Sequence, residues 1–273
     1  MDAKLQRRIQ RYGWDKAAAD YEQSWQRQLQ PAQAILLELA ALQPGERVAD
    51  VACGTGLITF AAAAAVGKAG CVVGVDLSQG MVDLARARAA ERELSNVRFD
   101  RMDAEDLALP DSSFDAALCA LGLMYVPDPS RAAAEMRRVV KKGGRVVAAV
   151  WGRRNRCGWA DIFPIVDARV QSEVCPMFFA LGTGDSLGAT FERAGLSDVV
   201  TRRLETRLLW ASGDEACGAA FVGGPVALAY SRFDEPTRAA VRAEYLESLA
   251  PWREGDGYAV PGEFVIVAGR RVD

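Results

Sequence analysis

No histidine occurs anywhere in the 273-residue chain. The commonest general base, the commonest metal ligand and the usual near-neutral pH switch are therefore missing. Every Ser-His-Asp or Cys-His mechanism is excluded with them. Cysteine is sparse and scattered: Cys53, Cys71, Cys119, Cys157, Cys175 and Cys217 include no C-x-x-C pair. Free thiols in a reducing compartment are the expectation, and with no short ligand spacing no metal is expected. The first ten residues hold no apolar signal core, and the longest weakly polar run, residues 57–66, is too short to span a bilayer. A cytoplasmic protein without a membrane span is expected. Lys+Arg of 33 against Asp+Glu of 36 leaves a net charge of −3, which argues against a globally basic nucleic-acid binder. Internal repeats and low-complexity linkers are also missing.

What is present is an ordinary globular composition, 50% apolar and 25% charged, with length enough for a large core. Helical and strand patterns alternate through the first 150 residues. Residues 21–42, 57–66, 79–93 and 129–140 read as helices; 47–52, 71–75, 97–101, 114–120 and 145–151 read as short apolar strands. This alternation predicts right-handed crossovers and an α/β, doubly wound, mainly parallel seven-stranded sheet. Beyond Trp151 the pattern loosens. Helices are expected at 155–170, 185–194 and 235–249, and strands at 198–204 and 263–268. Residues 205–262 are long for a plain crossover, so the chain reads as a single domain, 1–273. In it a cofactor-binding core (12–151) carries a helical cap (205–262) inserted before the last strand.

The informative segment is Val48-Ala49-Asp50-Val51-Ala52-Cys53-Gly54-Thr55-Gly56. A strand runs into two glycines and then a helix, which lets the backbone turn tightly and approach a ligand. The third glycine of a dinucleotide fingerprint would fall at position 59, which is Thr59. Instead, acids punctuate the strand ends. Asp50 precedes the glycines, Asp76 closes the second strand where a carboxylate can accept from ribose hydroxyls, and Asp103 follows the third.

Asp50-x-x-x-Gly54-x-Gly56, Val73-Gly74-Val75-Asp76-Leu77-Ser78, Asp103-Ala104-Glu105-Asp106-Leu107, Phe114-Asp115 and Gly143-Gly144-Arg145 occur in this order. Together they resemble the class I S-adenosylmethionine-dependent methyltransferases, and most closely the small-molecule branch that includes the ubiquinone and menaquinone biosynthesis enzymes. The resemblance spans about residues 12–151 and implies S-adenosyl-L-methionine as cofactor on a Rossmann-like fold. It implies Gly54 and Gly56, with Ala52, against the methionine and ribose part, and Asp50 near the methionine amino group. Asp76 would hold the ribose hydroxyls, Leu77 and Met81 would flank the adenine, Asp103 and the Ala104 N–H would meet its edge, and Cys119 and Ala120 would border the sulfonium.

Methyl transfer needs the acceptor atom in line with the methyl carbon in a site closed to water, and a strong base is optional. Without histidine, Tyr12, Tyr21 and Tyr125 are the weak candidates for a catalytic hydroxyl. Tyr12, Trp14 and Tyr21 are expected on a segment closing over the site, with Met124 and Tyr125 lining the acceptor pocket. Phe221, Tyr230, Phe233 and Trp252 are expected to serve the cap, and Gly223-Gly224-Pro225 reads as a hinge or a tight turn. The expected partner is a small-molecule acceptor, anionic or apolar, with Arg153, Arg154 and Arg156 placed to meet an anion. Residues 119–122 lack the Asn-Pro-Pro-Tyr type motif, and the chain has no Pro-Cys pair, so no nucleic-acid acceptor is expected. A cofactor-binding regulatory or assembly protein that kept the fold without transfer, and a nicotinamide oxidoreductase, stand as alternatives. The acceptor's identity and the oligomeric state are not legible.

Overall fold

The computed structural model describes residues 3–170 and 177–273, so Cys175 lies outside the described residues. In chain order the elements are α1 (Ala3–Ala40), β1 (Arg47–Val51), α2 (Leu57–Val66), β2 (Cys71–Asp76), α3 (Gln79–Glu91), β3 (Val97–Arg101), β4 (Phe114–Ala120), α4 (Pro129–Val139), β5 (Val140–Trp151), α5 (Ile162–Asp167), α6 (Ser186–Arg193), β6 (Ser197–Trp210), α7 (Gly213–Cys217), α8 (Ala227–Tyr230), α9 (Glu235–Leu249), β7 (Arg253–Glu254) and β8 (Gly257–Arg270).

The strands lie in the order β3-β2-β1-β4-β5-β8-β6, and the two-residue β7 pairs with β8. From β3 to β5 all neighbours are parallel; β8 runs antiparallel between β5 and β6. This is the expected doubly wound, mainly parallel sheet with helices on its faces. The chain leaves β1 toward β2 on one side and returns as β4 on the other. That reversal of strand order opens a crevice at the carboxyl ends, where such sheets bind ligands. Val48, Ala49, Ala116, Ala117 and Leu118 of the two central strands are fully buried, which is why both strands read as mostly apolar, broken only by Asp50 and Asp115. The start of α3 is sealed by Ser78, whose Oγ accepts from Met81 N at 3.1 Å.

Besides β5, which starts at Val140 rather than at residue 145, three boundaries differ from expectation. First, α1 is one continuous helix from Ala3, with Pro31 inside it, rather than a helix beginning near residue 21. Its Leu29, Ala32, Leu36 and Ala40 are buried, so tertiary packing outweighs the lost backbone bond. Second, β6 and β8 are much longer than expected. They stay in register from Glu205↔Glu263 out to Trp210↔Tyr258, so residues 205–210 and 257–262 are strand and the inserted segment is 211–256. The buried inner face of Leu208, Trp210, Val260 and Phe264 carries the ladder past the body of the sheet. Third, the helix expected at 155–170 is only α5 preceded by short tight turns.

Candidate active site

The loops after β1, β2, β3 and β4 meet at the crevice, and α1 lies across them. Between helix and loops is a cleft of about 1010 Å³ of empty space, part of it open to solvent. Ala52, Gly54, Asp76, Leu77, Met81, Asp103, Ala104 and Ala120 stand on its wall.

Asp76 ties the first two loops together. Its Oδ2 accepts from Gly54 N and its Oδ1 from Ser78 N, each at 2.9 Å. Burial pushes its carboxyl above the usual range, and these two N–H donors oppose that shift. Each oxygen keeps a second lone pair for a ligand hydroxyl. A Cβ built on Gly54 would meet only the Tyr21 ring, at 3.9 Å, so this glycine opens the loop toward the cleft.

The other three residues expected at the cofactor lie elsewhere. Asp50 is 1% exposed and sits beneath the loop, where its Oδ2 accepts from Thr59 Oγ1 at 2.6 Å. Its Oδ1 has no partner among the described residues, and burial raises its pKa to about 7. Gly56 turns the chain at φ 91°, and a Cβ there would strike Phe60 at 2.8 Å, so it faces the core between α2 and the sheet. Cys119 is fully buried, and burial pushes its thiol up to about 12, which leaves it protonated and packed. All three are off the wall because alternate residues of a strand face opposite sides of the sheet, and tight turns reverse direction within a residue.

Two non-glycine residues of the wall, Ala52 (φ 56°) and Leu121 (φ 64°), occupy the left-handed region, one at the end of each central strand. Such conformations cost of order 1–3 kcal/mol each and cluster at functional sites. Gly122 makes the pair possible: a Cβ there would run into Ala52 Cβ and lie 2.8 Å from Cys119 Sγ.

Helix α1 is fastened to all four loops. Glu22 accepts from Thr55 Oγ1 at 3.2 Å and pairs with Arg88 of α3. Asp15 Oδ1 accepts from Ser78 Oγ at 2.6 Å and from Gly80 N at 3.1 Å. Arg7 Nε lies 2.8 Å from Asp103 Oδ2, and Arg7 Nη2 2.5 Å from the buried Glu105. Gln6 Nε2 donates to Tyr125 O at 3.4 Å. Asp103 therefore already meets a cation and accepts from Glu105 N, with lone-pair capacity remaining for a base edge.

The far half of the cleft is aromatic. Tyr21 packs on Trp14 (5.6 Å between ring centres), Trp14 on Tyr125 (5.1 Å), Tyr125 on Phe178 (5.4 Å), Phe178 on Trp159 (5.6 Å), Trp159 on Trp151 (4.8 Å) and Trp151 on Trp25 (6.0 Å). The result is an edge-to-face arc. Of the expected hydroxyls, Tyr21 and Tyr125 line the cleft; Tyr12 does not, and is 46% exposed. Burial, then the charges of Asp76 and Glu22, push the Tyr21 phenol far above its usual range, so it keeps its proton. Trp14 and Met124 are where expected.

The inserted segment contributes Pro225 to the wall, not its rings. Phe221 stacks on Tyr230 at 4.8 Å and meets Tyr245 at 5.6 Å within the segment's own packing. A Cβ on Gly223 would lie 2.5 Å from Ser24 Oγ of α1, and one on Gly224 2.7 Å from Ala219 O, so these glycines mark close packing, against α1 and within the segment, rather than a hinge. Arg153, Arg154 and Arg156 are exposed and off the wall, Arg156 reaching Glu205 at 3.9 Å. Sequence reasoning missed Arg7, Leu121, Gly122, Trp151, Trp159 and Phe178. Trp151 ends β5 beside the other loops and was findable by position; Trp159 and Phe178 carry no local pattern.

A mainly parallel sheet with a switch-point crevice, a glycine loop and an acid closing the second strand is an arrangement suited to a nucleoside-bearing cofactor. A family model described as a methyltransferase domain matches residues 48–144, little more than a third of the chain. Aklanonic acid methyltransferase DauC of Streptomyces sp. is 35% identical over 133 residues, 49% of this chain and 60% of that protein. Demethylmenaquinone methyltransferase of Geobacillus sp. is 37% identical over 122 residues, 45% of this chain and 52% of its own length. The match thus spans little more than half of these relatives. Among solved structures, YcgJ of Bacillus subtilis superposes with a TM-score of 0.63 at 18% identity, covering 89% of this chain and 99% of that one. The residues on the wall fit S-adenosylmethionine: an open glycine at the loop, a carboxylate with spare lone pairs, and apolar Leu77 and Met81 beside Asp103. No helix among the described residues is long and apolar enough to cross a membrane.

Proposed function

We propose that this chain catalyses S-adenosylmethionine-dependent methyl transfer to an oxygen or carbon atom of an apolar aromatic small molecule. The observation that carries the reading is the arc of rings from Tyr21 to Trp25, which continues the cofactor half of the cleft without a break. Flat rings offer a large apolar surface to a flat acceptor and exclude water. The names of the two curated relatives, an aklanonic acid methyltransferase and a demethylmenaquinone methyltransferase, agree with a small-molecule acceptor.

Bound S-adenosylmethionine supplies a methyl group on a cationic sulfonium that is already a good leaving group. The chain's part is positioning. Asp76 would hold the ribose hydroxyls, the Gly54 loop would admit the methionine part, and Leu77 and Met81 would flank the adenine. Asp103 and the Ala104 N–H would meet its edge. Tyr21 Oη, which retains its proton, would donate to and orient an acceptor oxygen; a phenol or acid would give its own proton to solvent and enter as the anion. Helix α1, tied to the four loops, covers one side of the cleft and would limit water at the transferring methyl group.

The test is calorimetric binding of S-adenosylmethionine and S-adenosylhomocysteine, followed by transfer from methyl-tritiated cofactor to a panel of naphthols, hydroquinones, aromatic acids and alkylamines. Label is expected in the aromatic oxygen-bearing acceptors. Tight binding with no label in any acceptor would favour the non-catalytic alternative, and label confined to amines would overturn the acceptor class.

A further inference from the structure

Trp159 is 1% exposed and stands on the wall of the cleft, yet its indole Nε1–H has no hydrogen-bond partner among the described residues. The rings packed on it are Trp151 at 4.8 Å, Phe178 at 5.6 Å, Trp25 and Phe179 at 5.8 Å and Phe163 at 5.9 Å; they present carbon and π faces. A buried donor left without an acceptor is costly, and a phenylalanine would fill an apolar wall without that cost. The neighbouring indole behaves differently: Trp25 Nε1 donates to Ala219 O at 3.1 Å. We propose that the Trp159 N–H is the donor that holds an oxygen of the acceptor, making Trp159 a specificity-determining residue for carbonyl- or phenol-bearing aromatic molecules. This inference rests on the methyl-transfer reading above.

The same molecule holds an internal control. Trp210 is buried and its Nε1 is also unpartnered, but it is not on the wall. Its N–H should be blind to anything that enters the cleft.

The experiment uses the full chain saturated with S-adenosylhomocysteine, labelled with ¹⁵N at tryptophan, and two probes of one shape: 1-tetralone, which carries a ketone oxygen, and tetralin, which does not. The tetralone is expected to bind about 10-fold tighter than tetralin. It should move the Trp159 indole N–H resonance downfield and leave that of Trp210 in place, while tetralin shifts neither in that sense. In Trp159→Phe the preference is expected to fall to within about twofold at unchanged S-adenosylhomocysteine affinity. Equal binding of the two probes to the wild-type protein overturns the proposal. So does a bound tetralone with a stationary Trp159 resonance, or a preserved preference in the variant. The resonance reads the wild-type chain directly, so a variant that failed to fold would leave the test intact. Failure of S-adenosylhomocysteine to bind overturns the methyl-transfer reading itself; its binding with a silent Trp159 overturns only this inference.

Discussion

Asp76 receives the backbone N–H of Gly54 at 2.9 Å, so the acid that closes the second strand also fixes the shape of the first loop. One carboxylate serves two ends: with Ser78 N on its other oxygen, it sets the loop before any ligand arrives.

Replacing Asp76 by alanine should therefore weaken S-adenosylmethionine binding by more than about 10-fold, since a charge-assisted hydrogen bond is worth about 1.5–3 kcal/mol and the loop loses its anchor as well. Asp76→Asn, which keeps one acceptor oxygen, should lose less. Calorimetry on folded protein checks both; near-wild-type affinity in the alanine variant would refute the assignment.

Gly122→Ala is expected to force apart the two loops that carry Ala52 and Leu121, because the new methyl meets Ala52 Cβ and Cys119 Sγ. Overpacking of this kind costs about 1–3 kcal/mol, and cofactor affinity should fall with stability. Gly218→Ala, with nothing within 4 Å of its added Cβ, is the matched control and should leave both unchanged. Equal melting temperatures for the two variants would contradict the clash.

Asp50 gives stability a pH dependence of definite sign. Burial pushes its folded pKa up to about 7, above the ordinary carboxylate range, so the folded state binds a proton that the unfolded state has released. Stability is then lost as pH rises from about 4 to 7, because the proton-binding difference favours the folded state only below its folded pKa. Asp50→Asn keeps an acceptor for Thr59 and removes the titration. Cofactor-free melting curves of the two proteins should agree near pH 4 and diverge by pH 8, the asparagine form being the more stable. Parallel pH profiles would show that Asp50 is ionised in the fold.

Arg7→Ala leaves Glu105, 2% exposed, without its guanidinium and frees the first turns of α1 from the β3 loop. A loss of about 1–3 kcal/mol in stability follows from an uncompensated buried charge. Cofactor release, followed by stopped-flow tryptophan fluorescence, should be faster than in the wild type. An unchanged release rate would mean that this end of α1 does not gate the cofactor.

Much of this architecture was written locally. Strand β1, the Gly54-Thr55-Gly56 turn and the acids Asp76 and Asp103 follow one another at spacings that a strand–loop–helix unit dictates, so the sheet and the cofactor half of the cleft were legible from residue order. Phe114-Asp115 and Gly143-Gly144-Arg145 were legible too, but they serve the sheet. Asp115 accepts from Arg47 N and Lys141 Nζ, and Arg145 pairs with Glu46.

The aromatic half of the cleft was decided only by tertiary structure. Trp14 and Tyr21 come from α1, Tyr125 from the loop after β4, Trp151 from the end of β5, and Trp159 and Phe178 from the irregular stretch beyond it. No local period relates these rings, because each satisfies its own element's packing and they converge only when α1 crosses the sheet's carboxyl edge. The aromatic residues of the inserted segment looked equally suited to a pocket, yet Phe221 and Tyr230 satisfied one another first. Composition can supply apolar surface, but which surfaces face a shared cavity depends on contacts between residues far apart in the chain.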